Sequence, residues 1–229
     1  FEPAEGYNFN RAPGVTAPDT NDKTKLAAAG RGSSPYVGGV SAKCGNGVFT
    51  NQFDAADNPT QYANTVASDF RFKKSYFYFD NMIVSLGSDI GYGGSEEVST
   101  GIFQEKMTDS DEIKLSGDKT PEEGEYRETY NSNDVPWLSD NINQAMYYLF
   151  PNQEYTLTRG EQSFVFKEQT DNFKGVGNFV SAYINHPQSE TLKGQGSYAY
   201  IIAPSAGVDT MNRLEESMKS DNPRFEILR

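Results

Sequence analysis

The sequence predicts an all-β fold, a large antiparallel β-sandwich of several sheets with one short helix near the C-terminus. Aromatic and β-branched residues gather in short runs that suit a half-buried sheet surface. Glycine, proline, asparagine and aspartate separate these runs at the intervals typical of sandwiches. Only residues 209–219 have the apolar spacing of a helix. The 229 residues can bury a sizeable core and are predicted to form one domain, residues 1–229.

The strongest strand signal lies in residues 71–90, with the sequence RFKKSYFYFDNMIVSLGSDI. Two apolar runs flank Asp80-Asn81, a dipeptide that favours a two-residue hairpin turn because both residues tolerate left-handed backbone. We therefore expect a central β-hairpin covered on both faces. The four consecutive aromatic residues 76–79 should then all be largely buried.

The rest of the chain is interpreted in order from its turn signals. Residues 1–35 are rich in proline and glycine and predict an extended, loop-dominated segment. Residues 36–56 predict a hairpin that turns at 45–47, and the acidic stretch 107–125 predicts a surface excursion. Further strands are predicted at 96–106, 126–130, 145–150, 154–158, 162–169, 179–185, 197–203 and 225–228. The helix at 209–219 is expected to be capped by Asp209.

Charge and composition exclude some classes of function. The net charge is -12, and residues 81–229 supply all of it, because residues 1–80 carry eight basic and eight acidic side chains. No basic stripe of a nucleic-acid-binding protein is visible, and no run approaches the length of a membrane span. A polyanionic ligand is expected to meet the uncharged first part. Cys44 is the only cysteine, so no internal disulfide can form.

Several short motifs occur in a recognisable order. YNFNRAPGVT at 7–16 is similar to a WNR-x-PG-x-T segment, KKSYFYFDNMIVSLGSDI resembles a signature hairpin, and VSTGIFQ at 98–104 is similar to VETTLFQ. YINHP, YAYIIAP, a short helix and RFEILR follow in the order of closing strands. On these motifs the chain resembles the polysaccharide lyase family of chondroitin and hyaluronan lyases, in its chondroitin sulfate ABC lyase-like branch.

The resemblance implies the central β-domain, or super-sandwich, of a larger secreted or periplasmic lyase. Such enzymes cleave acidic, uronic-acid-containing polysaccharides of the glycosaminoglycan type by β-elimination. The tyrosine and histidine that move protons, and an asparagine that meets the uronate carboxylate, come from a preceding helical toroid. Because the chain opens at Phe1 with no initiator methionine and no signal peptide, we expect a fragment that lacks this partner domain. The fragment alone is expected to be inactive.

The resemblance implies that this domain supplies an arginine and a glutamate. Arg11 matches the arginine, whose planar, permanently charged fork suits a carboxylate, a sulfate or a phenolate, and Asn10 beside it is the second candidate for substrate binding. Alternatively, Arg11 pairs with a nearby acidic side chain. If it is catalytic, we expect an accessible guanidinium at an open end of the sandwich.

The glutamate position departs from the family pattern. Aligning VSTGIFQ on VETTLFQ places Ser99 where the family has its glutamate. Glu97 is predicted to face the same side of the strand, so a bulge or slip lets it serve, and Glu96 is one position earlier. The candidate catalytic residues are therefore Arg11, Glu97 and Ser99. The alternative is that 96–97 is simply a solvated strand entrance.

The remaining candidates carry less chemistry. His186, the only histidine, has no serine, cysteine or metal partner in its spacing and is predicted to be structural. Cys44 has no histidine beside it and is not predicted to be reactive. No cofactor is predicted. The acidic 109–125 stretch could hold Ca²⁺, but it lacks the spacing of a calcium loop, so no metal site is assigned.

Two functions outside catalysis stay open at this stage. One is a non-catalytic carbohydrate-binding or structural β-sandwich, which would follow if catalysis is altered or lost. The other is an interaction module that uses the acidic second part of the chain. A helical toroid carrying asparagine, histidine and tyrosine in the same polypeptide would decide for the lyase.

Overall fold

The computed structural model describes residues 5–19, 36–42, 45–55, 70–107, 112–121, 124–142, 144–168, 171–186 and 195–225. Nearly all regular structure in these ranges is β. The strands are β1 (Thr16–Pro18), β2 (Val37–Ser41), β3 (Gly47–Asp54), β4 (Arg71–Phe79), β5 (Met82–Gly91), β6 (Val98–Lys106), β7 (Tyr126–Asn131), β8 (Trp137–Asp140), β9 (Ala145–Leu149), β10 (Glu154–Glu168), β11 (Asp171–His186) and β12 (Gly196–Pro204). The α-helix of the described residues, α1, spans Val208–Met218, and Phe9–Arg11 and Ser116–Asp118 form short 3₁₀ turns.

The described strands form two antiparallel sheets. One has five strands in the order β1-β6-β11-β10-β7, and the other has seven in the order β2-β3-β4-β5-β12-β9-β8. Their partners all run antiparallel. The predicted all-β, multi-sheet sandwich with one short helix near the C-terminus is therefore confirmed.

The main core lies between the two sheets, and period-two alternation builds it. On β10, Tyr155 and Leu157 are completely buried, and on β9, Tyr147 and Leu149 face the same apolar cluster. Phe103 from β6 stacks on Tyr147 with ring centroids 5.5 Å apart. Because successive strand residues point to opposite faces, the intervening residues must leave this core.

The outer face of the seven-stranded sheet is apolar too, and α1 covers it. Met146 and Tyr148, which alternate with the inner residues of β9, join a second buried cluster with Trp137. Met211 and Leu214 from α1 complete that cluster and are buried. The molecule therefore has three layers: five-stranded sheet, seven-stranded sheet and helix.

The outer face of the five-stranded sheet is polar; we call it the polar face. Hydroxyl and amide side chains cross from strand to strand, with Thr129 Oγ1 and Thr156 Oγ1 3.0 Å apart and Thr158 Oγ1 and Ser181 Oγ 2.8 Å apart. Asn185 Nδ2 donates to Thr156 Oγ1 over 2.9 Å. This face carries the candidate site.

The hairpin of β4 and β5 is confirmed, with Asp80-Asn81 as its two-residue turn and Asp80 in the left-handed region at φ 49°. The expected burial of all four aromatic residues 76–79 is wrong at the tip, where Tyr78 and Phe79 are 40% and 39% exposed. Both rings are at the turn end of the hairpin, where the sheet surface is less covered. There the Phe79 ring lies beside those of Phe77 and Phe225, with ring centroids 6.3 Å and 5.9 Å away.

Other element boundaries differ from the sequence predictions. The two strands expected at 154–158 and 162–169 are one long strand, β10, which pairs with β11 along its full length. Strand β1 lies in the predicted loop and β8 was not predicted. Ile113 and Leu115, placed in the surface excursion, are buried core residues.

The C-terminal predictions had mixed outcomes. The helix is confirmed, but Gly207 occupies the N-cap and Asp209 lies in the first turn. The final strand expected at 225–228 lies outside the described residues except for Phe225, which is not in a strand. The hairpin of β2 and β3 is confirmed, with part of its turn outside the described residues.

Candidate active site

Residues 5–19, the segment that carries Arg11, lie across the polar face. At its beginning, Gln162 Nε2 on β10 donates to the Gly6 carbonyl over 2.7 Å. Further on, the Asn8 amide donates to Gln104 Oε1 over 2.8 Å, and Gln104 Nε2 donates back to the Asn8 carbonyl over 2.9 Å. The predicted loop is thus fixed to β10 and β6 by buried amide side chains.

The turn at Arg11 sits directly on β6. Asn8 Oδ1 accepts from the Asn10 amide over 2.9 Å and caps the 3₁₀ turn Phe9–Arg11. A Cβ on Gly101 would lie 2.3 Å from the Ala12 carbonyl oxygen and 2.4 Å from that of Arg11. Backbone cannot approach a side chain so closely, so glycine at 101 is what allows the Arg11 turn to rest on the strand.

Arg11 is buried and paired, which corrects the expectation of an accessible, unpaired guanidinium. The residue is 9% exposed, and its Nη2 donates to Asp19 Oδ2. Its guanidinium carbon lies 3.9 Å from the centroid of the Tyr183 ring. The cause is local: the Asp19 amide donates to the Glu97 carbonyl over 2.6 Å, which brings the Asp19 carboxylate back beside Arg11.

Glu97 and Ser99 line the same cleft as Arg11. The cleft has a volume of about 400 Å³ and includes Asp19 and Tyr183 in its walls. Ser99 is 3% exposed, and its Oγ has no hydrogen-bond partner in the described part of the chain. Glu97, at the entrance of β6, is exposed. The juxtaposition expected for these three residues is therefore present, while their catalytic roles stay predictions.

Two neighbouring candidates lie elsewhere. Glu96 accepts a hydrogen bond from the Tyr92 hydroxyl over 2.5 Å and does not line the cleft. Asn10 is buried and lies outside the lining of the described clefts. Its predicted substrate contact stays a prediction, and in this structure Asn10 belongs to the turn that carries Arg11.

Sequence reasoning missed two polar-face side chains, Tyr183 and Arg127, and the nearby Arg159. The Arg127 guanidinium carbon lies 5.9 Å from the Tyr183 ring centroid, on the ring that Arg11 also contacts. A second cleft of about 420 Å³ shares Arg11 and Arg127 with the first and continues to Arg159. Arg127 and Arg159 belong to the acidic second part of the chain, so the positive charge beside the clefts is not confined to residues 1–80. Where an anion meets the chain stays a prediction. The period-two alternation of residues along β7 was the sequence signal that could have placed Arg127 on the outer face.

A buried lysine supports the Arg11 turn from below. Lys74 Nζ donates to the Gly14 carbonyl over 2.6 Å and lies 4.7 Å from the centroid of the Phe72 ring. Burial lowers the pKa of Lys74 to about 7. The contact links the Arg11 turn to β4, so both sheets hold this turn.

His186 is buried beside the same network. Its Nε2 lies 2.7 Å from Thr100 Oγ1, which in turn lies 2.7 Å from Thr16 Oγ1. Burial, and then the charge of Lys74, lower the pKa of His186 to about 4. The ring is therefore neutral at neutral pH and bonded within the sandwich, which agrees with the structural role predicted for it.

No metal cluster is visible among the described residues, where no group of three or more histidine, cysteine, aspartate or glutamate side chains converges. The possible Ca²⁺ stretch lies partly outside them, because 108–111 and 122–123 are not described. Within the same ranges, no helix has the length and apolarity needed to cross a membrane. Cys44 also lies outside the described residues.

Comparison with known proteins decides the family. The model of the polysaccharide lyase family 8 super-sandwich domain matches residues 5–215. The chain belongs to polysaccharide lyase family 8. This confirms the family to which the motifs pointed, and the match covers both sheets and most of α1.

The relatives show how much of a family 8 enzyme this chain represents. Chondroitinase-AC of Pedobacter heparinus is 27% identical over 230 residues, covering 97% of this chain but 29% of that protein. A solved chondroitinase AC lyase matches with a TM-score of 0.65 at 21% identity, over 96% of this chain and 31% of its own. Paenibacillus xanthan lyase matches with a TM-score of 0.64 at 19% identity, over 91% and 20%. The chain thus spans about a third or less of these relatives.

Proposed function

We propose that this chain is the β-domain of a secreted or periplasmic lyase that cleaves uronic-acid-containing, glycosaminoglycan-like polysaccharides by β-elimination. Family 8 membership supports the reaction class. The observation that carries the proposal is the cleft in which Arg11, Glu97 and Ser99 meet around Tyr183. Arg11 and Ser99 align with the arginine and the glutamate of the family motifs, and Glu97 lies two positions before Ser99.

The chemistry needs a base, an acid and a means of neutralising the uronate. The base removes the proton next to the carboxylate, and that bonding pair becomes the new C=C double bond. The bond to the glycosidic oxygen breaks, and the acid protonates the leaving oxygen. The proton is weakly acidic, so positive charge must face the carboxylate as the carbanion develops.

Arg11 fits the charge-stabilising role and no proton-transfer role. Its guanidinium stays protonated, so it cannot act as a base. Tyr183 and Asp19 fix its plane, which lowers the conformational cost of presenting a donor to substrate. The buried Nε, which has no hydrogen-bond partner among the described residues, shows that donor capacity is left on this side chain.

Glu97 and Ser99 divide the role of the family glutamate in this proposal. Ser99 lies on the polar face at the glutamate position, where its hydroxyl can donate or accept. Glu97 supplies a carboxylate in the same cleft, two residues earlier. A carboxylate here would orient a positively polarised partner or a sugar hydroxyl rather than neutralise the uronate, since like charges repel.

Proton transfer is assigned to groups outside this chain. His186 is buried, and its Nε2 is engaged with Thr100, so it is not placed to accept a substrate proton. We therefore propose one β-domain over residues 1–229 that works with a helical toroid of the same polypeptide. The 229 residues alone should release no unsaturated product, because catalytic groups that act as a unit lose nearly all activity when part of the set is missing.

The test measures the ultraviolet absorbance of the unsaturated product. In the full polypeptide that contains this domain, Arg11→Ala should lower kcat about a hundredfold, the usual effect of losing one charge-stabilising donor, equivalent to about 3 kcal/mol. Arg11→Lys should restore little, because an ammonium cannot reproduce the fork. Arg213→Ala, an exposed change on α1, serves as the matched control. Full activity in Arg11→Ala would remove the assignment.

The presence of Ser99 at the glutamate position favours a second candidate, a non-catalytic carbohydrate-binding module. Under that alternative the full polypeptide binds a uronic-acid oligosaccharide but produces no absorbance change. Ser99→Glu distinguishes the two candidates. If the wild-type polypeptide is inactive and Ser99→Glu gains turnover, catalysis was lost through the serine at this position. If the wild-type polypeptide is already active and Ser99→Glu leaves its turnover unchanged, Glu97 fills the role of the glutamate.

A further inference from the structure

The two clefts adjoin each other beside Arg11 and Arg127. They share Arg11 and Arg127, and the second extends past Thr158 to Arg159 and Gln162. Along β11, Asn185 in the first cleft lies four positions from Ser181, whose hydroxyl contacts Thr158 in the second cleft. At the usual rise this is about 13 Å, a span longer than a single sugar ring.

Arg127 carries a charge that the fold does not use. It is exposed and has no ion-pair partner in the described part of the chain, whereas Arg11 is held by Asp19. It stands opposite Thr158 in the β7–β10 register, so its side chain leaves the sheet on the polar face. Its guanidinium lies near the Tyr183 ring, at the junction of the two clefts.

The surroundings of Arg127 suit a sugar. Thr129, Thr156 and Thr158 present hydroxyl groups on the same face, and their mutual contacts fix their positions. Hydroxyl groups beside an arginine provide both a partner for sugar hydroxyls and a fork for an anionic substituent. The acids of the second cleft, Glu125 and Glu161, are exposed, so solvent screens their repulsion.

From this geometry we infer that Arg127 forms an anion subsite that binds a carboxylate or sulfate on a sugar unit beyond the one at Arg11. The inference rests on the proposed function for the nature of the polymer. Arg127 then attracts the negative charge of the substrate more strongly than Arg11 does, because Arg11 is already paired with Asp19.

The experiment measures binding by titration calorimetry on the 229-residue chain. The probes are an unsulfated uronic-acid octasaccharide and a sulfated one of the same length. We expect Arg127→Ala to weaken binding about tenfold and Arg127→Gln to do the same, with a smaller salt dependence of Kd than wild type. Arg213→Ala on α1 is the matched exposed-arginine control and should change nothing.

The two probes identify the group that is bound. Loss confined to the sulfated probe assigns the subsite to sulfate, and equal loss on both assigns it to the uronate carboxylate. Binding by Arg127→Ala equal to wild type on both probes overturns the inference, as does a wild-type chain that binds neither. Thermal unfolding of each variant checks that the fold is intact, because a change at an exposed position should alter stability by less than about 0.5 kcal/mol.

Failure of the inference and failure of the proposed function give different results. If the full polypeptide makes unsaturated product while Arg127→Ala binds normally, the lyase assignment stands and the subsite falls. If Arg127→Ala loses binding but the full polypeptide makes no product, the subsite stands as part of a binding module.

Discussion

The two sheets use their outer faces in opposite ways. On the seven-stranded sheet, β9 and β12 turn Met146, Tyr148 and Ile201 outward, and α1 buries them with Met211 and Leu214. On the five-stranded sheet, the corresponding outward positions are hydroxyl, amide and arginine side chains that line two clefts. Both sheets share the same inner core, so the difference lies only in the alternate residues of each strand.

This difference separates stability from function. A covered apolar face contributes free energy of folding in proportion to the area removed from water. An open polar face contributes little to folding, because its groups are solvated in the unfolded chain as well. Substitutions on the two faces should therefore affect different measurements.

The largest effect is expected under the helix. Leu214→Ala should destabilise the chain by about 2–5 kcal/mol, because it leaves a cavity at a buried contact of α1. Chemical denaturation measures the change. Glu216→Ala, exposed on the same helix, should have little effect. An equally small effect of Leu214→Ala would show that α1 is not an integral layer.

The next effect concerns pH and lies between the sheets. His186 has a folded pKa of about 4 against an ordinary 6.5, so between these values the unfolded state binds more protons and stability falls as pH decreases. The loss from pH 6.5 to 4 should be on the order of 3 kcal/mol. His186→Gln should flatten this part of a stability-against-pH curve. A curve as steep as that of wild type would place the titration on other groups.

A smaller effect on stability near neutral pH is expected at Lys74. Its pKa is lowered to about 7, so between pH 7 and its ordinary value the unfolded state holds the extra proton and stability rises with pH. Lys74→Met should remove that rise and leave stability near neutral pH unchanged or higher by about 1–2 kcal/mol. The Arg11 turn would lose its contact through Gly14. A strongly destabilised variant would mean that the buried ammonium is needed for folding itself.

The smallest stability effect is expected on the polar face. Thr129→Val keeps the shape and β propensity of the residue but removes the hydroxyl that contacts Thr156. Unfolding free energy should change by less than about 0.5 kcal/mol, while octasaccharide binding weakens measurably. A change of several kcal/mol would contradict the division between the two faces.

The layered fold could be predicted because its signals are local. The turn at Asp80-Asn81 and the apolar spacing of α1 each depend on neighbouring residues. Local signals also explain the errors: Gly160 lies between the two strands predicted at 154–158 and 162–169, yet the register of β10 with β11 continues through it. The pairing of β1 with β6 has no local signal, so it was missed.

The site was predictable only where a motif carried it. Arg11 and Ser99 came from family motifs, Glu97 came from its place two residues before Ser99 on the same strand, and the cleft contains all three. Asp19 and Tyr183, which determine the state of Arg11, lie 8 and 172 positions from it and are brought near by backbone pairing. The single-sequence pattern contains no information on which side chain an arginine will stack against.

The crossing of the polar face by residues 5–19 has a consequence for the order of folding. Gly6 is held by Gln162, a separation of 156 positions, and Asn8 is held by Gln104, a separation of 96. Contacts so distant in sequence carry a large loop-closure cost and form slowly. The first described residues of the chain can therefore reach their final place only after β10 has been synthesised and paired. We therefore expect the two sheets to form before the cleft, and Arg11 to be among the last residues to become ordered.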